Sequence, residues 1–298
     1  MRVAVMGMGP IGREVARAIA QGARPGVELV AIVDLAPALL GQRIEGLPIE
    51  RTLTRAVDAI ALCTSSRFDA VVEDLERAVA AGQHVVSTCE ELALPPDLPR
   101  AQALGRAAQS AGVTLIGTGV NPGFVMDRLV LELAAVCVRI EGIRVERVVD
   151  AAARREPLRH KVGYGLTIDE FRAGVAAGRL GHVGLSTSAG LIARGLRSSL
   201  AGVIETIDPV LGKNGKVLGV HQLLSAKLTD GRPIELELQM SVGAPDPHDR
   251  VTFAGDPPLD VTIAGGTHGD RATVGAVIDG LARLHRAARG LITVAELY

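Results

Sequence analysis

Over roughly the first 120 residues the hydrophobic pattern switches back and forth between two periods. Continuous apolar runs at residues 1–6, 28–34, 56–64, 83–88 and 113–117 have the length and flanking breaks of strands buried on both faces. Between them, 10–21, 68–81 and 100–111 place apolar residues at helical spacing. Strand and helix in regular alternation predict an α/β fold built on a doubly wound parallel sheet. At residues 117–127, GTGVNPGFVMD, the texture changes. Asn121 suits a helix N-cap and Pro122 a first helical position, so a long apolar helix is expected from there to about residue 136. Beyond it, 142–150, 216–227, 233–241, 250–253 and 260–263 have strand character. ELELQM at 235–240 and DVTI at 260–263 alternate polar and apolar residues, as a sheet with one wet face requires. A helical stretch at 167–200, interrupted near Gly181 and His182, separates the first two of these strands. The second half therefore reads as α+β on a mixed or antiparallel sheet. Residues 1–122 form the first domain and 123–268 the second, and a C-terminal helix over about 269–298 packs back on the first.

The junction between the first strand and the first helix carries the most specific signal in this pattern. It reads MGMGPIG, placing Gly7, Gly9 and Gly12 in the spacing of a dinucleotide fingerprint, with Pro10 and Ile11 opening the helix. Gly7 permits a tight turn, Gly9 lets the backbone approach a pyrophosphate, and Gly12 lets the helix pack on the strand. The helix N-terminus then offers free N–H groups and partial positive charge to the phosphates. Asp34 ends the second strand about 20 residues after Gly12, where an acid hydrogen-bonds an adenosine ribose hydroxyl. A carboxylate there repels a 2′-phosphate, so the expected cofactor is NAD; Gln42 and Arg43 could reach the same pocket and keep NADP possible. Thr64, Ser65 and Ser66 follow the third strand at its carboxyl end, where open α/β sheets bind ligands, although hydroxyl residues there also cap helices.

Composition narrows the partners. The 298 residues are 48% hydrophobic and 22% charged, a globular composition long enough for two domains. A formal net charge of -1 without a basic stripe excludes nucleic acid and a polybasic membrane anchor. No apolar run approaches the ~20 residues needed to span a bilayer, and the apolar start is too short and too glycine-rich for a signal peptide. Cys63, Cys89 and Cys137 are widely spaced, which argues against a disulfide framework or a zinc site; no metal is expected, and a cytoplasmic location is.

GMGPIG, STCEEL, GTGVNPGFVMD, HKVGYG, GHVGLSTS and GGTHGDRAT together resemble one family along nearly the whole chain. That family is the 2,4-diaminopentanoate dehydrogenases with the related native amine dehydrogenases, members of a dihydrodipicolinate reductase-like superfamily. The resemblance implies an oxidoreductase acting on CH–NH2 groups. It also implies an N-terminal NAD(P)-binding Rossmann domain and a C-terminal α+β domain for substrate binding and homodimerisation. The paired histidines and lysine of dihydrodipicolinate reductase itself have no clear counterpart, His160-Lys161 being only superficially similar. Homoserine dehydrogenases carry a lysine after the strand that here ends at Thr88, where this chain has Glu90 and Glu91.

Amine oxidation needs a base to take the ammonium proton and later to activate water, which one carboxylate can do. Glu90 and Glu91 are the candidates; adjacent residues in extended chain face opposite ways, so one of them enters the cleft. Alignment with homoserine dehydrogenases puts Glu90 at the lysine position and favours it, with Glu91 the alternative; as first-turn helix acids both could instead be solvated. His182 and His268 stand in glycine-rich turns and could orient the substrate, or be structural. Arg154, Arg155 and Lys161 could hold a substrate carboxylate, and Gly119 and Asn121 could approach the nicotinamide and ribose. The expected substrate is a small amine, amino acid or ketone with ammonia. Two other readings stand beside it: an imine or double-bond reductase of the dihydrodipicolinate reductase type, and a non-catalytic dinucleotide sensor.

Overall fold

The computed structural model describes residues 1–152 and 156–297 and resolves them into two compact units, Met1–Phe124 with His268–Tyr298, and Val125–Thr267. The first unit opens with β1 (Arg2–Met6), α1 (Pro10–Ala20), β2 (Glu28–Val33), β3 (Arg43–Ile44), β4 (Leu47–Glu50) and β5 (Ala59–Leu62). It continues through α2 (Phe68–Ala80), β6 (His84–Ser87), α3 (Glu90–Ala93), α4 (Pro99–Ser110) and β7 (Thr114–Gly117). The second unit holds α5 (Arg128–Ala134), β8 (Arg139–Asp150), α6 (Glu156–Lys161), α7 (Ile168–Ala176), α8 (Leu185–Gly195), β9 (Leu200–Leu211), β10 (Val217–Leu228), β11 (Pro233–Ser241), β12 (His248–Asp256) and β13 (Leu259–Ala264). The chain returns to the first unit with α9 (Gly269–Arg283), β14 (Gly290–Ile292) and α10 (Val294–Leu297).

The first unit is a Rossmann-type doubly wound sheet in the order β14-β7-β6-β5-β1-β2-β4-β3, parallel except for the β3–β4 hairpin. Its central strands are apolar throughout because both faces are covered: Val3, Ala4 and Val5 of β1 and Ala59, Ala61 and Leu62 of β5 are buried. The second unit is a mixed six-stranded sheet, β13-β12-β8-β11-β10-β9, in which β8 and β11 are parallel and the remaining neighbours antiparallel. In β11, Ile234, Leu236 and Leu238 are buried while Glu235, Glu237 and Gln239 are partly exposed, the period-two alternation of a sheet covered on one face. No helix among the described residues is long and apolar enough to cross a membrane.

Four features differ from the sequence reading. The helix expected at Asn121 does not start there. Residues 121–127 form turns, Gly123 sits at φ +124°, outside helical space, and α5 begins only at Arg128 with the Asp127 carboxylate accepting the Arg128 N–H at 2.6 Å. The final helix ends at Arg283, and β14 then pairs with β7 to extend the sheet. The sequence pattern also passes over β3 and β4, the latter lying beside β2. It misses β9 as well, because that strand is at an edge, is largely exposed and contains Gly202 and Pro209, so it carries neither alternation nor a buried run.

Candidate functional site

The glycine loop is built by close approach. Gly7 has φ +93°, and a Cβ there would stand 2.6 Å from the Cys63 carbonyl oxygen; a Cβ on Gly12 would stand 1.8 Å from the Gly7 oxygen. Gly9 faces open space and caps α1 with no side chain, so the helix N-terminus is uncovered, with Pro10 in its first turn and Ile11 partly buried behind it. Asp34 Oδ2 accepts the Met8 N–H at 2.5 Å and Oδ1 accepts the Ala36 N–H at 2.7 Å, which ties the loop to the end of β2. Each oxygen keeps a further lone pair for a ligand hydroxyl. Arg13, to which the sequence assigned no role, braces the loop by donating from Nε to the Met8 oxygen at 2.9 Å. These residues fit a dinucleotide: an uncapped helix start, a backbone surface that a Cβ would fill, and a carboxylate at the β2 end. Gln42 and Arg43 turn elsewhere, donating to the Ala38 and Gly46 carbonyls. Gly12→Ala is expected to abolish NAD binding in calorimetry, because the added methyl forces α1 away from the loop; unchanged affinity would refute this reading of the loop.

Beyond β5 and β6 the structure separates residues that the sequence left equivalent. Thr64 packs its methyl against Gly7, while Ser65 Oγ accepts the Arg67 N–H at 3.2 Å as a local cap. Glu91 Oε2 accepts the Phe68 N–H at 2.7 Å and the Glu91 N–H reaches the Ser66 oxygen, so Glu91 closes the N-terminus of α2. Glu90 does something different. Its Oε1 accepts the Ser66 hydroxyl at 3.3 Å, and its Oε2 is buried without a hydrogen-bond partner. Its position is rigidly supported. Ser87 Oγ accepts the Cys89 N–H and donates to the Leu62 oxygen, and α3 packs so tightly on Gly117 that a Cβ there would be 2.4 Å from the Ala93 nitrogen. Gly119 lies buried in the following turn, where a Cβ would be 3.0 Å from the Pro122 oxygen; Asn121 is partly buried in that turn and caps no helix. Burial pushes Cys63 up to about 12 and Cys89 to about 11, so neither is a thiolate at neutral pH.

The second unit has its own polar cluster on an otherwise apolar layer. Gly181, at φ +104° and without room for a Cβ, turns the chain so that Gln222 clamps the His182 backbone. Gln222 Oε1 accepts the His182 N–H at 2.9 Å, and Nε2 donates to the His182 oxygen at 2.7 Å and to Glu205. The His182 Nε2 is buried and has no partner. Burial first, then the nearby Lys161 and Arg147 charges, hold its pKa down to about 3, so the ring is neutral at physiological pH. Arg147, Gln222 and Glu205 carry no sequence signal that marks them, while the buried Asp127–Ser188 hydrogen bond of 2.7 Å joins the ends of two motifs, GTGVNPGFVMD and GHVGLSTS, whose pairing the sequence does not show. His268 is exposed and serves as the N-cap of α9, its Nδ1 accepting the Arg271 N–H at 3.4 Å. Arg154 and Arg155 lie outside the described residues. No cluster of potential metal ligands exists among the described residues.

Residues 124–298 match the family described as the 2,4-diaminopentanoate dehydrogenase C-terminal domain. A 2,4-diaminopentanoate dehydrogenase from Acetoanaerobium sticklandii is 27% identical over 336 aligned positions that cover 100% of this chain and 93% of the relative. Among solved structures, an amine dehydrogenase from Mycobacterium smegmatis superposes with a TM-score of 0.82 at 20% identity, covering 99% of this chain and 95% of that one. The scyllo-inositol dehydrogenase of Lactobacillus casei, solved with NAD(H) and scyllo-inositol, superposes with a TM-score of 0.62 at 16% identity, covering 95% and 89%. At those identities the two structures establish the shared fold.

Proposed function

The chain belongs to the 2,4-diaminopentanoate dehydrogenase family, and from that membership we propose that it is an NAD-dependent dehydrogenase that deaminates a small amine or amino acid to a carbonyl compound and ammonia. The observation that carries the proposal is the Glu90 carboxylate, whose Oε2 is buried without a partner at the carboxyl end of β6 while the adjacent Glu91 is engaged at α2. When bound, the cofactor supplies the acceptor for the hydride that leaves the amine-bearing carbon. Glu90 takes a proton from the substrate ammonium, so that the nitrogen lone pair can push the hydride out and leave a C=N bond. It then takes a proton from the water that adds to that carbon and returns one to the departing nitrogen. The balance is one water consumed, one ammonium released, one hydride delivered and one proton lost to solvent. With Gly7 and Gly12 setting the turn and the close packing of α1, Gly9 and the helix start would receive the pyrophosphate, Asp34 would take the adenosine ribose, and Thr64, Ser65, Ser66, Gly119 and Asn121 would border the cofactor. The Lactobacillus casei relative carries NAD(H) on the same fold.

NAD is expected to bind at least about 10-fold more tightly than NADP in calorimetry, because the Asp34 carboxylate at the end of β2 repels a 2′-phosphate and Arg43 is turned away to the Gly46 carbonyl. Asp34→Asn should narrow that gap; equal binding of both cofactors by the wild type would overturn it. The function itself is tested by following reduced nicotinamide while amines and amino acids are supplied with NAD. Ammonia and NADH should appear in equal amounts, and no reduction with any amine would refute the proposal. A cytoplasmic homodimer completes this reading: all three cysteines are free, and the edge strand β9 exposes Val203 and Ile204.

A further inference from the structure

Ser66 joins the segment after β5 to the start of α3 through both its backbone and its side chain. Its carbonyl oxygen accepts the Glu91 N–H at 3.2 Å, and its hydroxyl reaches Glu90 Oε1 at 3.3 Å. Neighbouring bonds fix where that hydroxyl stands. Ser65 Oγ accepts the Arg67 N–H at 3.2 Å, and Glu91 Oε2 accepts the Phe68 N–H at 2.7 Å, two residues beyond Ser66. One step earlier, the Thr88 N–H and the Ser87 hydroxyl both donate to the Leu62 oxygen at 3.0 Å, which locks the ends of β5 and β6 together. Hydroxyl and carboxylate therefore meet because their backbones are tied to one another.

An ionised carboxylate can only accept, so Ser66 is the donor. The two oxygens of Glu90 thereby stop being equivalent. Oε1 is engaged, whereas Oε2 is buried and has no hydrogen-bond partner among the described residues. A carboxylate free to rotate would offer either oxygen in many directions; one anchored at Oε1 offers Oε2 in one.

We propose that Ser66 is a positioning residue for Glu90: its hydroxyl holds Oε1 and leaves Oε2 as the proton-accepting oxygen of the site. In deamination the proton moves from the substrate nitrogen to Oε2. The neutral carboxyl keeps Oε1 as its carbonyl oxygen, which still accepts from Ser66, so the anchor persists through the transfer. Ser66 would border the cofactor by its place in the chain, but its hydroxyl serves the base. The proposal rests on the deamination reading for the source of the proton, and the anchor itself is tested separately.

In the full-length protein, Ser66→Ala should lower kcat and kcat/KM together by about 10-fold, the size of one hydrogen bond to a charged group, with KM nearly unchanged. Ser66→Thr, which keeps the hydroxyl, should recover most of the loss. In a Glu90→Gln background, Ser66→Ala should change kcat by less than about 2-fold, because the group it positions is already gone. Equal losses in both backgrounds, or weaker NAD binding with kcat at saturating NAD intact, would give the hydroxyl to the fold or the cofactor and overturn the proposal. The anchor has a readout that needs no turnover. With glutamate labelled by carbon-13 at the carboxyl, the Glu90 NMR signal, identified by its loss in Glu90→Gln, should move in Ser66→Ala and return in Ser66→Thr. The Glu91 signal should stay in place. A Glu90 signal indifferent to Ser66→Ala would sink the anchor. Should that signal respond while no amine is oxidised, the deamination reading fails and the anchor stands. Amine oxidation at the wild-type rate in Ser66→Ala, with the signal unmoved, would have the opposite meaning.

Discussion

Glu90→Gln is expected to lower kcat by about 10²- to 10⁴-fold, the range for losing a positioned general base, with the dissociation constant of NAD nearly unchanged. The amide keeps the volume of the carboxylate and can still accept from the Ser66 hydroxyl, so the support from Ser87, Cys89 and Gly117 stays in place. What it cannot do is accept a proton. Glu91→Gln makes the comparison sharp. Glu91 accepts the Phe68 N–H at the start of α2, and its neutralisation should cost stability at the scale of a helix cap, about 1 kcal/mol, with kcat changed far less. Steady-state rates, NAD calorimetry and denaturation midpoints for the two variants distinguish the roles. Wild-type turnover in Glu90→Gln, or the larger rate loss in Glu91→Gln, would remove Glu90 from the mechanism.

Arg147→Ala should destabilise the second unit by about 3–5 kcal/mol, the cost of breaking a buried ion pair from one side. The pair lies under the sheet: Arg147 is 3% exposed and Asp249 1%. One guanidinium nitrogen donates to Asp249 Oδ1 at 2.9 Å and the other to the Thr267 oxygen at 2.7 Å, while Asp249 Oδ2 accepts the Thr267 N–H at 2.6 Å. Truncation leaves the Asp249 carboxylate buried without its counter-charge and orphans a carbonyl at the end of the unit. Arg147→Lys should recover only part of the loss, because a single ammonium cannot reproduce the two-pronged contact. Urea denaturation followed by circular dichroism measures the effect. A midpoint shift worth less than about 1 kcal/mol in Arg147→Ala would show that the pair is not what holds Thr267.

Several motifs that stood out in the sequence prove to be joints. The aspartate of GTGVNPGFVMD accepts from the second serine of GHVGLSTS, Ser188, and the lysine carbonyl of HKVGYG accepts from the first glycine of GHVG. The threonine of GGTH is tied to Arg147 and Asp249. A motif string is therefore evidence of a shared fold before it is evidence of chemistry, and the family resemblance was legible for that reason.

The sequence by itself determined the alternation of strands and helices in the first unit, the place of the phosphate loop and the acid at the end of β2. Each of those depends on residues within one βαβ segment, where hydrophobic period and glycine spacing are local. Glu90 and Glu91 were not separable in that way, since their difference lies in what Ser66 and Phe68, more than twenty residues earlier, present to them across neighbouring strands. The same holds for His182. Only the folded second unit strips its Nε2 of partners and sets Lys161 beside it, because burial and charge proximity are properties of packing between elements distant in the chain. The exposed edge strand β9 and the shift of the helix start from Asn121 to Asp127 were likewise decided by tertiary structure, through sheet position in one case and a left-handed glycine in the other.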